Sequence, residues 1–356
     1  MPEPGRTQTH KVGERALSEE KKVVIDIEEK EKAVLGELSE LQSVTATGVL
    51  SVNNVSEQSR IWNVRVLLGD SRGGTDIESE VLAAGEIDAG GRWEHEYNIE
   101  VEAPLLTLTE RYDTCGDVES EDPHWAYAHG KDNPLRITIR LKNETDGEID
   151  NIVLNKSIPP EVTDVTIESV QSGTAEYDEG THQVIWKDFI IYPHEESVLV
   201  IKATARVDDI TVVNAGEIVV TYRAEGQQRS ALDPDMTALT EFLTGVDTAE
   251  TQPNHWECTL ECSNESDLIV RIDKAEVFIT PEEGGDKTKM VDEEPHIELA
   301  PGEEWSTSFE IDSKTPPKVT HDVVYTPVRT VTKRVLGTIE KTAQNIPVYK
   351  LSLIHI

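Results

Sequence analysis

Cysteine is scarce in this sequence, and the cysteines that occur are not placed for a disulfide. They are Cys115, Cys258 and Cys262. Cys258 and Cys262 share one alternating run, and in a strand their Cα atoms would lie about 13 Å apart at ~3.3 Å per residue, which is too far to bridge. Free thiols are typical of a reducing compartment, so the cysteines favour a cytoplasmic protein.

Long apolar runs are also absent. No stretch of about 18 apolar residues occurs, so the sequence predicts no helix that spans a membrane. The N-terminus is polar and lacks the apolar stretch of a secretory signal. We therefore expect a cytoplasmic protein, and the cell surface is the alternative.

Basic and aromatic residues are few. The 356 residues include 33 lysines and arginines against 69 aspartates and glutamates, which gives a net charge of −36. A field of that sign repels phosphate groups, so neither nucleic acid nor an anionic membrane surface is a predicted partner. Aromatic residues make up only 5% of the chain and hydrophobic residues 37%. This composition favours several small cores, and the length has room for roughly two to four domains.

The sequence lacks the common catalytic motifs. It has no Gly-x-Ser-x-Gly elbow, no Cys-x-x-Cys pair and no phosphate-binding Gly-Lys-Ser/Thr loop. We therefore predict no enzyme and no cofactor. One cluster, His124 and His129 with Asp122 and Asp132, has the residue types of a transition-metal site. It would support a hydrolase, the weakest alternative, and exposed or packed histidines in a linker are the simpler interpretation.

Acidic turns are the other candidate metal sites. Asp146, Glu148 and Asp150 could bind calcium through their carboxylates. A second group of acidic residues follows Cys115 and could bind calcium in the same way. Its members are Asp117, Glu119, Glu121 and Asp122. Neither group has EF-hand spacing, so a solvated acidic turn is the simpler interpretation and no metal is predicted.

The most regular feature present is a pair of motifs repeated three times. An Asn-x-Ser/Thr-acidic turn begins at Asn54, Asn143 and Asn264, and a second signature follows each one after 33, 48 and 35 residues. A fixed order repeated along a chain indicates one small module used several times. Asn tolerates left-handed backbone geometry, so we interpret the motif as turn chemistry. The three sites and Asn155 also fit the N-glycosylation rule, but turn geometry already explains their repetition.

Alternating apolar and polar residues surround each repeated turn. Such runs predict half-buried strands, and several short strands with turn residues between them indicate β-sandwiches. The predicted fold class is therefore mainly β, with three modules at residues 44–114, 133–229 and 251–350. An acidic linker at 115–132 and a second linker at 230–250 separate them. The middle module carries about one extra hairpin.

Two helices are predicted outside the modules. Residues 17–43 fit a short amphipathic helix capped by Ser18, and a strand at residues 23–27 is the alternative. In the second linker, Asp233 would cap a three-turn helix that starts at Pro234 and stops at Gly245. The apolar heptad positions of the first helix form a predicted surface for docking or self-association: Leu17, Val24, Ile27, Val34, Leu38 and Leu41.

Both ends of the sequence fall outside the predicted modules. Residues 1–16 are polar and predicted to be disordered. Residues 351–356 follow no turn or repeat logic and match one reading frame of a sequencing adapter. We therefore expect this hexapeptide to be a non-native tail.

The middle module resembles a known family. Residues 135–160, together with 184–186 and 191–201, resemble the Ig-like repeat of archaeal and bacterial surface proteins. Residues 299–305 are similar to the related cell-adhesion-type Ig repeats. The resemblance implies tandem Ig-like β-sandwiches and no reaction. Members of the family are often exported and anchored to a cell wall.

The sequence thus predicts a non-enzymatic scaffold or protein-interaction array. Exposed sheet edges or turn tips would bind protein partners, because edge strands readily pair with extended segments. The alternative is a fragment of a surface or envelope adhesin stalk whose anchor is lost with a truncated C-terminal end.

Overall fold

Strands account for all the regular secondary structure that the structure, a computed structural model, describes. It describes residues 21–114, 126–208, 212–280 and 287–349. No α-helix forms in these ranges, and none of their residues forms a helix long and apolar enough to cross a membrane. The prediction of a mainly β protein is confirmed.

The strands are numbered in chain order. The first eight are β1 (Val23–Leu35), β2 (Leu41–Asn53), β3 (Ile61–Leu67), β4 (Val81–Ile87), β5 (Arg92–Ile99), β6 (Leu106–Asp113), β7 (Tyr127–Ala128) and β8 (Asp132–Asn143). The next nine are β9 (Asp150–Ser157), β10 (Val162–Val170), β11 (Thr174–Asp178), β12 (Gln183–Lys187), β13 (Glu196–Arg206), β14 (Val213–Asn214), β15 (Ile218–Glu225), β16 (Asp235–Leu239) and β17 (Phe242–Gln252). The last nine are β18 (His255–Asn264), β19 (Val270–Thr280), β20 (Thr288–Glu293), β21 (Ile297–Leu299), β22 (Glu304–Asp312), β23 (Lys318–Pro327), β24 (Arg329–Lys341), β25 (Asn345–Ile346) and β26 (Val348–Tyr349).

Three hydrophobic cores lie between facing sheets. The first core joins β1, β2 and β5 to the sheet β16-β3-β4. The second joins the sheet β10-β13-β8-β6 to strands β11, β12, β9, β15 and β24. The third joins β17-β18-β22 to the sheet centred on β19, which pairs with β20, β21 and β23. We call these the first, second and third sandwich.

One sheet belongs to two sandwiches. Its eight strands run in the order β11-β12-β9-β15-β24-β1-β2-β5. Within it, β24 lies between β15 and β1, antiparallel to the former and parallel to the latter. Ile27 of β1 packs in the first core, whereas Ala33 of the same strand packs in the second. The first and second sandwiches are therefore continuous through β1.

Two buried carboxylates mark the place where these sandwiches meet. Glu29 and Glu31 lie on the core-facing side of β1, and each is at most 2% exposed. The Tyr97 hydroxyl donates a hydrogen bond to Glu29 (3.0 Å), and the Tyr222 hydroxyl donates one to Glu31. The two tyrosines come from opposite directions, since Tyr97 is on β5 and Tyr222 is on β15. A pair of charges is thus held at the centre of the sheet.

Each tyrosine reaches its glutamate by crossing a glycine. Gly48 on β2 is in register with Glu29 and with Tyr97. Gly337 on β24 is in register with Glu31 and with Tyr222. A Cβ at either glycine would overlap the ring that lies across it. The absence of a side chain is therefore what admits each tyrosine.

The segment between β15 and β16 supplies further partners for these carboxylates, although Glu31 Oε2 has an ion pair and no hydrogen bond. The backbone N–H groups of Arg229 and Ser230 and the Ser230 hydroxyl donate to Glu29. Glu31 accepts the Leu105 N–H (3.0 Å) and pairs with Arg229, whose Nε lies 3.0 Å from Oε2. A buried charge is costly unless it is paired and hydrogen-bonded, and these contacts meet that condition.

The repeated asparagines work as side-chain clamps. Each is at most 2% exposed, and each Nδ2 group donates to a carbonyl of the second signature, at Ile87 (3.3 Å), Ile191 (2.9 Å) and Leu299 (2.9 Å). Each Oδ1 accepts the N–H of the residue two positions on. The two motifs occur together because the asparagine side chain of the first donates a hydrogen bond to a backbone carbonyl of the second. None of these asparagines has a positive φ, so left-handed geometry is not their role.

The predicted N-terminal helix is wrong. Of its apolar positions, Val24, Ile27 and Val34 lie on β1, Leu41 begins β2 and Leu38 lies in the turn between them, while Leu17 is outside the described residues. Ile27 is fully buried, whereas Leu38 is 76% exposed, so the six do not form one surface. The β-branched run at residues 23–27 favours a strand, and pairing with both β2 and β24 completes its ladders. The alternative of a strand was right.

The predicted linker helix is also wrong. Residues 235–239 form β16 and β17 begins at Phe242. Met236 and Ala238 are buried while Asp235 and Thr237 are exposed, which is the period of a strand. The capping signals at Asp233 and Pro234 are local, and pairing of β16 with β3 outweighs them.

A tandem array is the wrong description of these sandwiches. Residues 106–113, which fall within the predicted first module, form β6 and pair with β8 of the second sandwich. The strand that pairs with β3 is β16, from the predicted second linker. The alternation of a strand does not say which sheet edge it joins, so the sequence pattern is the same in either arrangement. The boundaries 44–114, 133–229 and 251–350 stay predictions, and residues 1–16 and 351–356 lie outside the described ranges.

Replacing Gly48 with alanine tests the tyrosine crossing. The new Cβ would displace the Tyr97 ring from Glu29, so we expect Gly48→Ala to lower the free energy of unfolding by about 3 kcal/mol. Gly245→Ala is the matched control, because Gly245 also lies in a strand but has open space around its Cα and no positive φ. The control should stay within about 1 kcal/mol of wild type in urea unfolding. Equal losses for both variants would contradict the packing argument.

Substitution of a clamp asparagine tests the repeated motif. Asn54→Asp replaces an amide donor that faces carbonyl oxygens with a carboxylate, so we expect a loss of about 3 kcal/mol. Asn53→Asp makes the same change one residue earlier, where the amide has only a 3.4 Å bond to Ser51. Thermal unfolding should separate the two variants clearly. Equal melting temperatures for the two variants would contradict a stabilising role of the clamp.

Candidate functional site

A groove lies between the first and third sandwiches, where two strand edges face each other. Among the strands that the structure describes, β16 pairs with β3 alone and β23 pairs with β19 alone. The cleft between their free edges has a volume of about 370 Å³, and a second cleft of about 490 Å³ adjoins it. We call the two clefts together the groove. Asp235, Arg271 and Arg329 line both of them.

The first arginine of the groove is set by a β-bulge. Arg271 on β19 is in register with Thr326 of β23, and the register shifts at Asp273. A bulge re-aims the side chains beside it. The Arg271 Nε atom donates to the Asp273 carboxylate at 2.6 Å. This bond fixes the plane of the guanidinium while its terminal nitrogens remain available.

The second arginine begins β24. Arg329 is in register with Val23 of β1, and a single residue, Val328, separates β24 from β23. Its side chain is 17% exposed and pairs with the Asp235 carboxylate of β16. The ion pair therefore links the strand that closes the large sheet to one edge of the groove.

A threonine hydroxyl on the groove wall has no partner. Thr326 is 6% exposed and lines the first cleft, but its Oγ1 atom makes no hydrogen bond to any described residue. An unpaired buried hydroxyl costs roughly 1–3 kcal/mol. Such a group in a groove is a candidate contact for a ligand.

The rest of the β23 wall is apolar and rigid. Val324 is 51% exposed, although it is a large hydrophobic residue on a strand edge. Tyr325 stacks on Phe242 with ring centroids 4.3 Å apart, and its hydroxyl donates to the Thr240 carbonyl. Burial raises the pKa of the Tyr325 hydroxyl. The wall thus presents one exposed valine on a packed support.

Contacts between the sandwiches set the width of the groove. Asp267 of the third repeat accepts hydrogen bonds from the hydroxyl of Ser56 and the N–H of Ser59, in the first repeat. Burial raises the pKa of the Asp267 carboxyl, but these hydrogen bonds outweigh burial and hold it below its usual value. Leu268 packs in the first core. The groove is therefore already formed in the free chain.

A second buried charged cluster lies away from the groove. Lys156 and Lys341 place their Nζ atoms 2.8 Å from the two carboxylate oxygens of Glu110. All three side chains are fully buried. Burial raises the pKa of the Glu110 carboxyl, yet the two ammonium groups lower it further, so it lies below its usual value. Burial also lowers the pKa of the Lys156 ammonium. The cluster joins β6, β9 and β24 and has no access for a substrate.

The described cysteines are also poor candidates for chemistry. Cys258 and Cys262 are buried in the third core and unbridged. Burial raises the pKa of the Cys258 thiol to about 11 and that of the Cys262 thiol to about 12. A nucleophilic cysteine needs a thiolate, which these values disfavour.

The calcium candidates have protein partners. Asp150 is held by Arg223 through two bonds of 3.0 and 2.8 Å, and Asp146 faces His194 at 3.0 Å. The Glu148 carbonyl accepts a hydrogen bond from Gln227. No three His, Cys, Asp or Glu side chains are grouped to hold a metal ion anywhere in the ranges that the structure describes.

The histidine cluster can be placed only in part. Asp122 and His124 lie outside the described residues. His129 is described, and its backbone N–H donates to the Tyr349 carbonyl.

Sequence reasoning did not identify the groove. Its main side chains come from β16, β19, β23 and β24, and no short spacing unites them. The one available signal was that residues 323–326 of β23 carry no charge, whereas an edge strand often does. Only the strand pairing brings these residues together.

Comparison with known proteins gives no family. No family model and no curated protein matches the chain. Similar solved structures include the Fcho1 Mu homology domain of Danio rerio with a bound Eps15 peptide, at 10% identity and a TM-score of 0.37, covering 92% of this chain and 97% of that one. The yeast delta-COP-I mu-homology domain is 12% identical with a TM-score of 0.37, covering 94% of this chain and 100% of that one. Its complex with a Dsl1 WxWxV peptide has a TM-score of 0.35 at 10% identity, covering 91% and 98%.

The predicted resemblance to Ig-like surface repeats is wrong. The similar solved structures named above are Mu homology domains and not Ig-like repeats. The shared eight-stranded sheet gives the physical reason, because independent modules would each complete their own sheets. The idea of an adhesin stalk depended on that resemblance and loses its basis. At such low TM-scores the Mu homology domains assign no activity to this chain.

Buried tyrosines should make the fold sensitive to alkali. Burial is the main cause that raises the pKa values of Tyr97, Tyr112 and Tyr222 above that of a free tyrosine. Above about pH 10 the unfolded chain loses these protons and the folded chain keeps them, so each tyrosine should remove about 1.4 kcal/mol of stability per pH unit. Tyrosinate absorbance should show these three hydroxyls deprotonating together with unfolding, which circular dichroism would record at the same pH. Reversible titration of all tyrosines in the folded state would contradict the assignment.

Proposed function

We propose that this protein is a non-enzymatic protein-interaction module that binds an extended segment of a partner polypeptide in the groove. The observation that carries the proposal is that two unpaired strand edges, from β16 and β23, line one preformed cleft. An extended segment can pair with such an edge through its own backbone. Protein partners were predicted from the sequence, and the groove gives them a place to bind.

One stretch of β23 lacks the charges that other sheet edges of the described chain carry. Charged side chains stand exposed on β5 (Glu94 and Glu96) and on β11 (Glu176 and Asp178). Charges on an edge strand discourage pairing with another chain. β23 has exposed charges near its start, at Lys318 and Asp322, but residues 323–326, which line the first cleft, carry none. Val324 in this stretch is exposed and could receive an apolar side chain of a bound segment.

The chemistry of the groove favours binding over catalysis. Both of its arginines are held in pairs with aspartates, Arg271 with Asp273 and Arg329 with Asp235. The Thr326 hydroxyl has no base beside it to activate it as a nucleophile. We keep a cytoplasmic location as part of the proposal, supported by the free thiols of Cys258 and Cys262.

Selection of peptides on the purified chain tests the proposal. A display library of random peptides should yield clones that bind the wild-type chain. Val324→Lys should weaken these clones by at least about tenfold, because it places a charge on the apolar wall. Leu243→Lys makes the same kind of change on β17, where Leu243 is 63% exposed, and should leave binding unchanged.

Two outcomes of this selection would refute the groove as the binding site. One is a library that yields no clones. The other is a set of clones whose affinity for the Val324→Lys and Leu243→Lys variants is the same. Both substitutions are on exposed side chains, so urea unfolding should show that each variant is as stable as the wild type.

A further inference from the structure

We infer that the bound segment carries a carboxylate, which docks on Arg271, Thr326 and Arg329. We call these three residues the anion subsite. The inference rests on the proposed function, since it names the chemistry of the segment that the groove receives. It concerns a set of hydrogen-bond donors that the protein itself leaves unused.

Most N–H donors of the two arginines have no partner among the described residues. A guanidinium has five N–H donors. Arg271 uses its Nε for Asp273, and Arg329 uses one terminal nitrogen for Asp235. Neither side chain makes another hydrogen bond or ion pair to the described residues. The Thr326 hydroxyl makes no hydrogen bond to the described residues, although the residue is only 6% exposed.

The three groups also occupy neighbouring positions. Arg271 and Thr326 are register partners on adjacent strands, so their side chains stand side by side. Arg329 follows Thr326 by three residues, and all three line the first cleft. The three residues therefore border the same space, and the Thr326 oxygen lies just beneath its surface. A carboxylate offers the planar pair of acceptors that a guanidinium fork matches.

The charges of the groove and of the whole chain restrict the ligand. Asp273 and Asp235 already offset the two arginines, and Lys22, Asp233 and Glu298 also line the second cleft, so the groove carries a slight excess of negative charge before a ligand binds. The whole chain carries a net charge of −36, which repels highly anionic ligands at a distance. A single carboxylate on a segment that is otherwise neutral or basic fits both conditions. The carboxylate can come from an Asp or Glu side chain or from the C-terminus of the partner.

Fluorescence anisotropy with defined peptide libraries tests the inference and separates the two sources. Three libraries of random ten-residue peptides would be compared on the full chain. One has a free C-terminus and no Asp or Glu, one has Asp and Glu with an amidated C-terminus, and one is amidated with no acidic residue. We expect one of the first two to bind about tenfold more tightly than the third.

The outcomes distinguish the inference from the proposed function. If the third library binds as tightly as the others, the groove binds peptides and the anion subsite is wrong. If no library binds, the proposed function itself fails and the inference fails with it. If the free C-terminus alone gives the gain, the source is a chain end, and if Asp and Glu give it, the source is a side chain.

Variants of Thr326 supply a readout that a structural role would not move. Thr326→Val removes an unpaired buried hydroxyl and keeps the shape, so the free energy of unfolding should be unchanged or higher. Affinity for the acidic peptides should nevertheless fall about tenfold, and Thr326→Ser should restore it. Thr320→Val, at an exposed position on the same strand, is the control; it removes an exposed hydrogen bond from Lys287 and should leave the affinity unchanged. Wild-type affinity in Thr326→Val, or an equal loss for neutral peptides, would overturn the subsite.

Discussion

The two buried carboxylates of β1 are the constraint on which the remaining structure depends. Glu29 and Glu31 can be accommodated only where Tyr97, Tyr222 and the segment at 229–230 reach them. A strand that slipped by one residue would turn both charges to the other face and leave two tyrosine hydroxyls without their acceptors. The glutamates therefore fix the register of β1 against β2 and β24. Because β24 is held in that register, Arg329 begins opposite Val23, beside the groove.

Short connections of the chain link the buried glutamates to the candidate site. Only Val328 separates β23 from β24, so a strand placed by the buried glutamates also places the groove wall. Asp267 completes the link from the other side by joining the clamp of the third repeat to that of the first. The groove is consequently a product of how the sandwiches are joined, and neither sandwich contains it alone.

Most of the strands could be predicted from the sequence, but the pairing between strands could not. Alternation identified most strands from β2 onward, and the spacing from each repeated asparagine to the second signature matches the hydrogen bonds that the asparagines make. The helix predicted at 17–43 is wrong because the apolar residues of this Glu- and Lys-rich segment recur at heptad positions, whereas its β-branched residues pair on both edges as a strand. The groove could not be predicted at all. Arg271, Thr326 and Asp235 come together through the choice of sheet edges, which depends on the path of the whole chain.

Parallel pairing of β1 with β24 has a mechanical consequence. The two strands run side by side over thirteen residues each, with their starts at the same end. A force that pulled on the start of β1 and on the end of β24 would act along the ladder, and all of its hydrogen bonds would share the load. A hairpin pulled at its two open ends would instead lose its bonds one after another. The neighbouring positions of the first and last long strands thus make the chain resistant to stretching in the direction in which its ends would be drawn apart.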